Sequence, residues 1–251
     1  MSSSNKAAVV EKVFAVLRKQ YDAPGKRETL PVLEELIMAV LTDGATTEQA
    51  DAVFQSLKKN YFDWNEVRVS AGAELQEHLG ELPNPEQRAY RLKACLKYIF
   101  ESTYGFDLEA WQKIPMKEVA AKFEKMPHVS DYLVSRVIRD GLGGTAMPLD
   151  TAAVRVFTRL GVIDEKHTAE ELSASLARRI PRAKSFEFCH VISEFAGDRC
   201  TAAEPHCKGC CLLELCPTGQ RRVAEQEAAA AQRRAKRKAK SKPARARAKA
   251  K

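Results

Sequence analysis

Apolar positions recur every three to four residues along most of the chain. No run alternates apolar and polar residues as a strand does, so the pattern predicts an all-α protein. Within residues 6–20, Val9, Val13, Phe14, Val16 and Leu17 fall on one stripe. The segment "LPVLEELIMAVLT", 30–42, is apolar on most faces and suits a buried central helix. "TTEQADAVFQSLKKNYF" follows, with Thr46 or Thr47 as N-cap. Further helical segments are "NEVRVSAGAELQEHL", "NPEQRAYRLKACLKYIFESTYG", "PMKEVAAKFEK", "DTAAVRVFTRLG", "AEELSASLARRI" and "AKSFEFCHVISEFAG". "KFEKMPHVSDYLVSRVI", 122–138, reads as two helical pieces broken at Pro127 around a turn without glycine. About ten short helices on short loops, with no fixed repeat period, describe a bundle and not a solenoid.

At 251 residues and 28.0 kDa the chain can bury one good core or two small ones. No apolar run approaches the roughly 18 residues that a membrane helix needs. The first twenty residues carry Glu11, Lys12 and Arg18 inside their apolar stripe and lack the continuous apolar segment of a secretory signal, so a cytoplasmic location is expected, nucleoid-associated in a bacterium.

The net charge of +8 divides unevenly. Residues 221–251 hold 13 Lys/Arg and two Glu, a net of +11, which leaves 28 basic against 31 acidic residues in 1–220, a net of −3. That Ala/Lys/Arg tail has little apolar surface to bury and repels itself, so it reads as a disordered tail. Each phosphate it neutralises would release counterions, giving salt-sensitive, sequence-independent affinity for nucleic acid. A merely solubilising tail has the same composition.

Five of the seven cysteines fall between 200 and 216, in "CTAAEPHCKGCCLLELC". Cys200, Cys207, Cys210 and Cys216 are spaced C-x6-C-x2-C-x5-C, and Cys211 is an extra. In a reducing compartment such a loop indicates metal binding more than disulfides. Only Cys207 and Cys210 form a short zinc-type knuckle; an iron–sulfur cluster also takes four thiolates, and spacing alone leaves both open. Cys95 and Cys189 lie within amphipathic helices as small core residues.

This cysteine spacing, at the end of an all-α chain, resembles the [4Fe-4S] loop of the endonuclease III family of helix-hairpin-helix DNA glycosylases. "PLDTAAVRVFTRLG", 148–161, is similar to the family's V-D-T-H-I-x-R-V-x-x-R-L-G segment, matching Asp150, Thr151, Arg155, Val156, Arg159, Leu160 and Gly161. "EKMPHVSDYLVSRVI" occupies the place of the hairpin L-P-G-V-G-x-K-T-A-x-x-V, and the interval from Tyr132 to Asp150 equals the family's lysine-to-aspartate interval. The likeness covers about 30 to 217.

The resemblance implies a two-lobed all-α glycosylase fold ending in an iron–sulfur loop. Residues 34–145 would form a helical barrel lobe with the hairpin. Residues 1–33 and 146–220 would form the cluster lobe, followed by the tail 221–251. It implies a [4Fe-4S] cofactor on Cys200, Cys207, Cys210 and Cys216, and a monomer acting on double-stranded DNA with a damaged or mismatched base. Such enzymes flip the nucleotide into a cleft between the lobes and break its glycosidic bond in base excision repair. Asp150 matches the catalytic aspartate, a role compatible with an N-cap. Tyr132 stands where bifunctional members carry a Schiff-base lysine; a phenol cannot form that adduct, so base removal without efficient AP-lyase activity is expected. A similar tyrosine occurs in the family's thymine-mismatch glycosylases, where it can line the base pocket; packing alone is the other reading.

Two further segments depart from the family. In the DNA-binding hairpin, His128 and Ser130 replace its two glycines around Val129, and Asp131 adds negative charge near the expected phosphate. "LTDGATT", 41–47, resembles L-S-A-Q-A-T-D, with Gly44 in place of the glutamine that fills the gap left by the flipped base. Another side chain, for instance from "HLGELPNPEQR" at 78–88, would have to serve as wedge. These departures also fit a paralogue that binds DNA without lesion chemistry, which the retained Asp150 opposes, or a glycosylase nicking through another amine such as Lys125.

Overall fold

A computed structural model describes residues 3–23, 25 and 29–248, with side chains described between 6 and 236. Twelve α-helices are present among them: α1 (Ser3–Leu17), α2 (Val32–Thr42), α3 (Thr47–Asn60), α4 (Trp64–Val69), α5 (Gly72–His78), α6 (Pro85–Thr103), α7 (Met116–Glu124), α8 (Asp131–Asp140), α9 (Thr151–Arg159), α10 (Ala169–Arg179), α11 (Arg182–Asp198) and α12 (Pro217–Ala248). The described residues form no strand beyond one isolated bridge between Asp164 and His167. None of the described helices is long and apolar enough to cross a membrane.

The helix starts are set by short polar side chains that accept otherwise unpaired N–H groups. Thr46, not Thr47, caps α3, and with Gln49 it completes a capping box. Asp63, Ser130, Asp150 and Thr168 cap α4, α8, α9 and α10 in the same way.

Apolar burial falls into two clusters. The first is built on α2, whose Leu36, Ile37, Val40 and Leu41 are fully buried, packed against α3, α6 and α8. The second joins α1 to α9 and α11: Phe157 and Phe188 lie parallel at 6.2 Å, and Phe14 of α1 meets Phe188 at 5.2 Å. Buried Lys6 adds a polar tie from α1, its Nζ lying 2.6 Å from Asp164 Oδ2. Burying a phenylalanine contributes about 1.5–3 kcal/mol, which is why a segment distant in sequence docks here.

The residues read as a disordered tail, 221–251, lie instead in α12 as far as Ala248; 249–251 are outside the described residues. The reason is intrinsic: Ala, Arg, Lys, Gln and Glu are the strongest helix formers, so a segment too polar for a core can still be helical.

Candidate active site and cysteine pocket

The start of α9 carries two carboxylates. Asp150 is its N-cap and is buried at 7% exposure; its Oδ1 accepts the Ala153 N–H at 2.6 Å. Asp43, from the loop after α2, reaches the same turn, where its Oδ1 accepts the Thr151 N–H at 3.1 Å and the Thr151 hydroxyl at 2.6 Å. Its Oδ2 takes Arg91 Nη1 at 3.0 Å. Burial, reinforced by the charge of Asp43, pushes the Asp150 carboxyl up to about 6, against the opposing pull of the Ala153 and Gly44 N–H groups and Arg155.

Tyr132, in the first turn of α8, faces this helix start. Its hydroxyl lies 2.8 Å from Thr42 Oγ1 and accepts Arg136 Nη1 at 3.1 Å. Burial pushes its phenol above the usual range, with Asp150 adding to the rise and Arg136 opposing it, so Tyr132 is neutral. Tyr132 and Leu149 line two cavities. The inner one, about 30 Å³, is bordered by Thr42, Asp150, Arg136, Arg139 and His190. It is the size of one water. The outer one, about 420 Å³, is bordered by Asp43, Ser130, Asp131, Thr151 and Glu170 and is large enough for a nucleotide-sized group. Among the described residues no lysine lines either cavity.

The hairpin between α7 and α8 keeps a glycine-like bend without glycine. His128 adopts φ +61°, and its ring meets Tyr90 edge-on at 4.8 Å. The expected restriction on positive φ is thus met by placing a non-glycine residue in the left-handed region, which costs about 1 kcal/mol or more. Ser130 has φ −103°, and its Oγ accepts the Leu133 N–H at 3.4 Å, so this hydroxyl serves as helix cap. Beyond Val129, Arg68, Lys93 and Lys97 border an open groove of about 1060 Å³ with Tyr90 and His128.

Gly44 has φ +76° and offers Asp150 its backbone N–H. In the 78–88 loop Leu79 and Leu82 are buried, so neither is available as a wedge. Gly80, Glu81, Pro83, Asn84, Glu86 and Gln87 are the exposed residues there. Buried Arg88 ties this loop to the end of α2, donating to the carbonyls of Val40, Asp43 (2.8 Å) and Pro83 (3.0 Å).

At its other end α9 holds the cysteine loop. Arg155 Nε donates to the Cys200 carbonyl at 3.0 Å, while Arg159 donates to the carbonyls of Thr201 at 2.7 Å and Ala202 at 3.0 Å and to Cys200 Sγ at 3.2 Å. Cys200, Cys207, Cys210 and Cys216 line one pocket with Leu160, Phe195 and Leu212, and Cys211 is not among its walls. Gly219 approaches so closely that a Cβ there would sit 3.4 Å from Cys216 Sγ, and its N–H donates to that sulfur at 3.2 Å. Burial pushes the Cys207 and Cys216 thiols upward, so thiolates here require a compensating cation. Among the described residues no three Cys, His, Asp or Glu side chains are grouped to hold a single metal ion. The four cysteines share the walls of the one pocket. An all-sulfur donor set around an apolar pocket, supplied with N–H groups and Arg159, fits a polynuclear iron–sulfur group.

Asp150 and Tyr132 therefore share the inner cavity, and Gly44 lies near Thr151 without lining either cavity; Val129 and Ser130 border the outer cavity, His128 borders the groove beyond them, and the cysteines form a separate pocket at the far end of α9. Sequence reasoning passed over Asp43, Arg136, Arg139 and His190. Asp43 contacts a residue 108 positions away, so no local signal marks it. The i, i+4 spacing of Arg155 and Arg159 was visible, but not that both grip carbonyls of the cysteine loop.

A two-lobed helix-hairpin-helix glycosylase is the class of protein that this fold and cleft define. Thymine-DNA glycosylase of Aeropyrum pernix is 28% identical over 187 residues, covering 72% of this chain and 80% of that protein. Endonuclease III of Bacillus subtilis is 27% identical over 193 residues, covering 75% and 82%. Among solved structures, an endonuclease III in non-covalent complex with DNA superposes with a TM-score of 0.63 at 21% identity over 89% of this chain and 99% of that one. A thermostable thymine-DNA glycosylase does so at 0.56 and 18% identity over 88% and 100%. No family model matches the chain. In sequence and in fold the chain is similar to the endonuclease III-like helix-hairpin-helix DNA glycosylases.

The raised Asp150 pKa has a consequence for stability. A carboxyl whose folded pKa exceeds its unfolded one stabilises the fold below the unfolded value, and that contribution is lost as pH rises through about 6. Asp150→Asn keeps the acceptor for Ala153 but cannot ionise. We expect the variant to be more stable than the native protein at pH 7 by about 1–3 kcal/mol in urea unfolding, the gap closing as pH falls below the ordinary carboxylate pKa. A gap that does not change with pH would contradict this account of Asp150.

Proposed function

We propose that this chain is a monofunctional DNA glycosylase of base excision repair, which hydrolyses the glycosidic bond of a damaged or mismatched nucleotide and leaves the strand intact. One observation carries the reading: at the first turn of α8, beside Asp150, stands the neutral Tyr132 hydroxyl and no amine. The flipped nucleotide enters the outer cavity, with Tyr132 as the wall its base meets. As the C1′–N bond breaks, its electron pair leaves with the base and positive charge develops on the sugar. The Asp150 carboxylate, set at the cleft by the α9 cap, stabilises that charge. Water adds at C1′, and the proton it loses passes to Asp150. The inner cavity, one water in size and bordered by Asp150, suits this step.

Cys200, Cys207, Cys210 and Cys216 would hold a [4Fe-4S] cluster, whose contribution here is to cross-link the loop against α9. Residues 34–145 and residues 1–33 with 146–220 act as the two lobes; the two apolar clusters support such a division, except that Leu30, Val32 and Leu33 pack with the first cluster. The DNA lies across the hairpin at His128, Val129 and Ser130 and past Gly44. The acidic edge formed by Asp43, Asp131 and Glu170 opposes it, and the polycationic α12 offsets that repulsion. The protein acts as a monomer in the cytoplasm or on the nucleoid.

Three outcomes test the reading. On duplexes carrying uracil, a T·G mismatch, an oxidised pyrimidine or an abasic site, breaks should appear only after alkali and should fall at least about 100-fold in Asp150→Asn. Strand cleavage without alkali, with a borohydride-trapped adduct, would overturn the absence of lyase chemistry; binding without any base release would indicate a non-catalytic paralogue. Cys207→Ser should lose iron, inorganic sulfide and brown colour, whereas Cys211→Ser should keep all three; a colourless zinc protein would refute the cluster. Removing 221–251 should lower the slope of log affinity for DNA against log salt by several units. An unchanged slope would exclude α12 as the main phosphate contact.

A further inference from the structure

At the start of α9, the second carboxylate is a departure of this chain. The family segment L-S-A-Q-A-T-D has alanine where "LTDGATT" has Asp43. This side chain satisfies a helix start that belongs to the other apolar cluster, and it is itself oriented: Oδ1 is shared between the Thr151 N–H and hydroxyl, and Oδ2 is held by Arg91. Its backbone is pinned as well, because Arg88 donates to the Asp43 carbonyl from a buried position. The carboxylate is therefore fixed at both ends of its residue, which a solvated surface aspartate is not. The next residue, Gly44, is in the left-handed region, and its N–H contributes to holding the Asp150 carboxyl down. Asp43 and Asp150 thus divide the free N–H groups of one helix turn between them, Asp43 taking Thr151 and Asp150 taking Ala153.

We propose that Asp43 is a positioning residue for the reaction: by capping Thr151 across the cleft it fixes the start of α9, and with it the Asp150 carboxylate, relative to Tyr132. The proposal rests on the assignment of Asp150 as the catalytic carboxylate. It deepens that assignment by naming a group that holds Asp150 in place and adds to the effect of burial on its ionisation. The groups facing Asp150 are Asp43 from the loop after α2, Tyr132 from α8 with Arg136 behind it, Arg155 within α9, and Cys189 from α11; His190 and Arg139 border the same cavity. Of the carboxylates among these groups, Asp43 alone adds negative charge beside Asp150. Its removal lowers the pH at which Asp150 ionises, whereas loss of its hydrogen bonds loosens the helix start at every pH. Two substitutions separate these effects. Asp43→Asn keeps an oxygen acceptor for Thr151 and removes the charge, and Asp43→Ala removes both.

The test combines carbon-13 NMR titration of Asp150 in the free full-length protein with single-turnover base release across pH. In the native protein we expect Asp150 to titrate near 6 and the acid limb of the rate to follow it. In Asp43→Asn both midpoints should move down together by about one pH unit, with the rate at pH 8 within about twofold of native. Asp43→Ala should show the same displacement and, at pH 8, a rate about tenfold lower with the DNA affinity little changed. An unmoved Asp150 titration in Asp43→Asn, or an Asp43→Ala variant as fast as native at pH 8, overturns the proposal. So does an effect confined to DNA affinity. Absence of base release from every duplex by the native protein would sink the glycosylase assignment instead, and the titration would still decide whether Asp43 governs Asp150.

Discussion

The structure depends on how the first turn of α9 is satisfied. A helix start leaves N–H groups unpaired that would otherwise turn to water; here Asp150 is buried and Thr151 exposed. Asp150 and Asp43 serve them instead, one from within the second cluster and one from the first. The same contact therefore ends a helix, joins two halves of the protein and presents a carboxylate to the cleft. Its energetic character is mixed. Each hydrogen bond to a charged acceptor contributes roughly 1.5–3 kcal/mol, yet two negative charges near one another at low exposure oppose ionisation of the more buried one.

α9 also transmits order in the other direction. Arg155 and Arg159 satisfy carbonyls of an irregular loop that has few backbone partners of its own. One nine-residue helix thus has the cleft at its first turn and the cysteine pocket at its last. At about 1.5 Å per residue the two sites are only some 13 Å apart along the helix, so the cysteine loop and the Asp150 carboxylate share a rigid element. Such an arrangement favours a cross-linked loop, because a loose one would leave the arginines and the end of α9 free to shift.

Much of this was legible in the residue pattern. The period of apolar residues marked nearly every helix, because an amphipathic helix must turn one stripe inward whatever it packs against. The cysteine spacing and the Asp150 segment were readable because they are local in sequence. The pairing of Asp43 with Thr151 was not, nor was the convergence of Arg136, Arg139 and His190 on the inner cavity, because these meet only when helices distant in the chain pack together. α12 was misjudged for a different reason: lack of apolar surface argues against a core, whereas helix propensity is a backbone property that a polar segment retains.

His128 and Gly44 show conformation and residue type coming apart. At 128 the left-handed backbone persists although the residue is not glycine; at 44 the residue is glycine and the backbone has taken up the left-handed region. The two positions therefore respond differently to substitution. Glycine at 128 would release strain and ask nothing of its neighbours beyond the loss of the Tyr90 ring contact. Glutamine at 44 would have space, with Thr151 Cβ 3.6 Å from the new Cβ, but would meet a φ that side chains other than glycine, asparagine and aspartate rarely hold. A larger side chain at 44 is thus limited by the backbone of its turn and not by its neighbours.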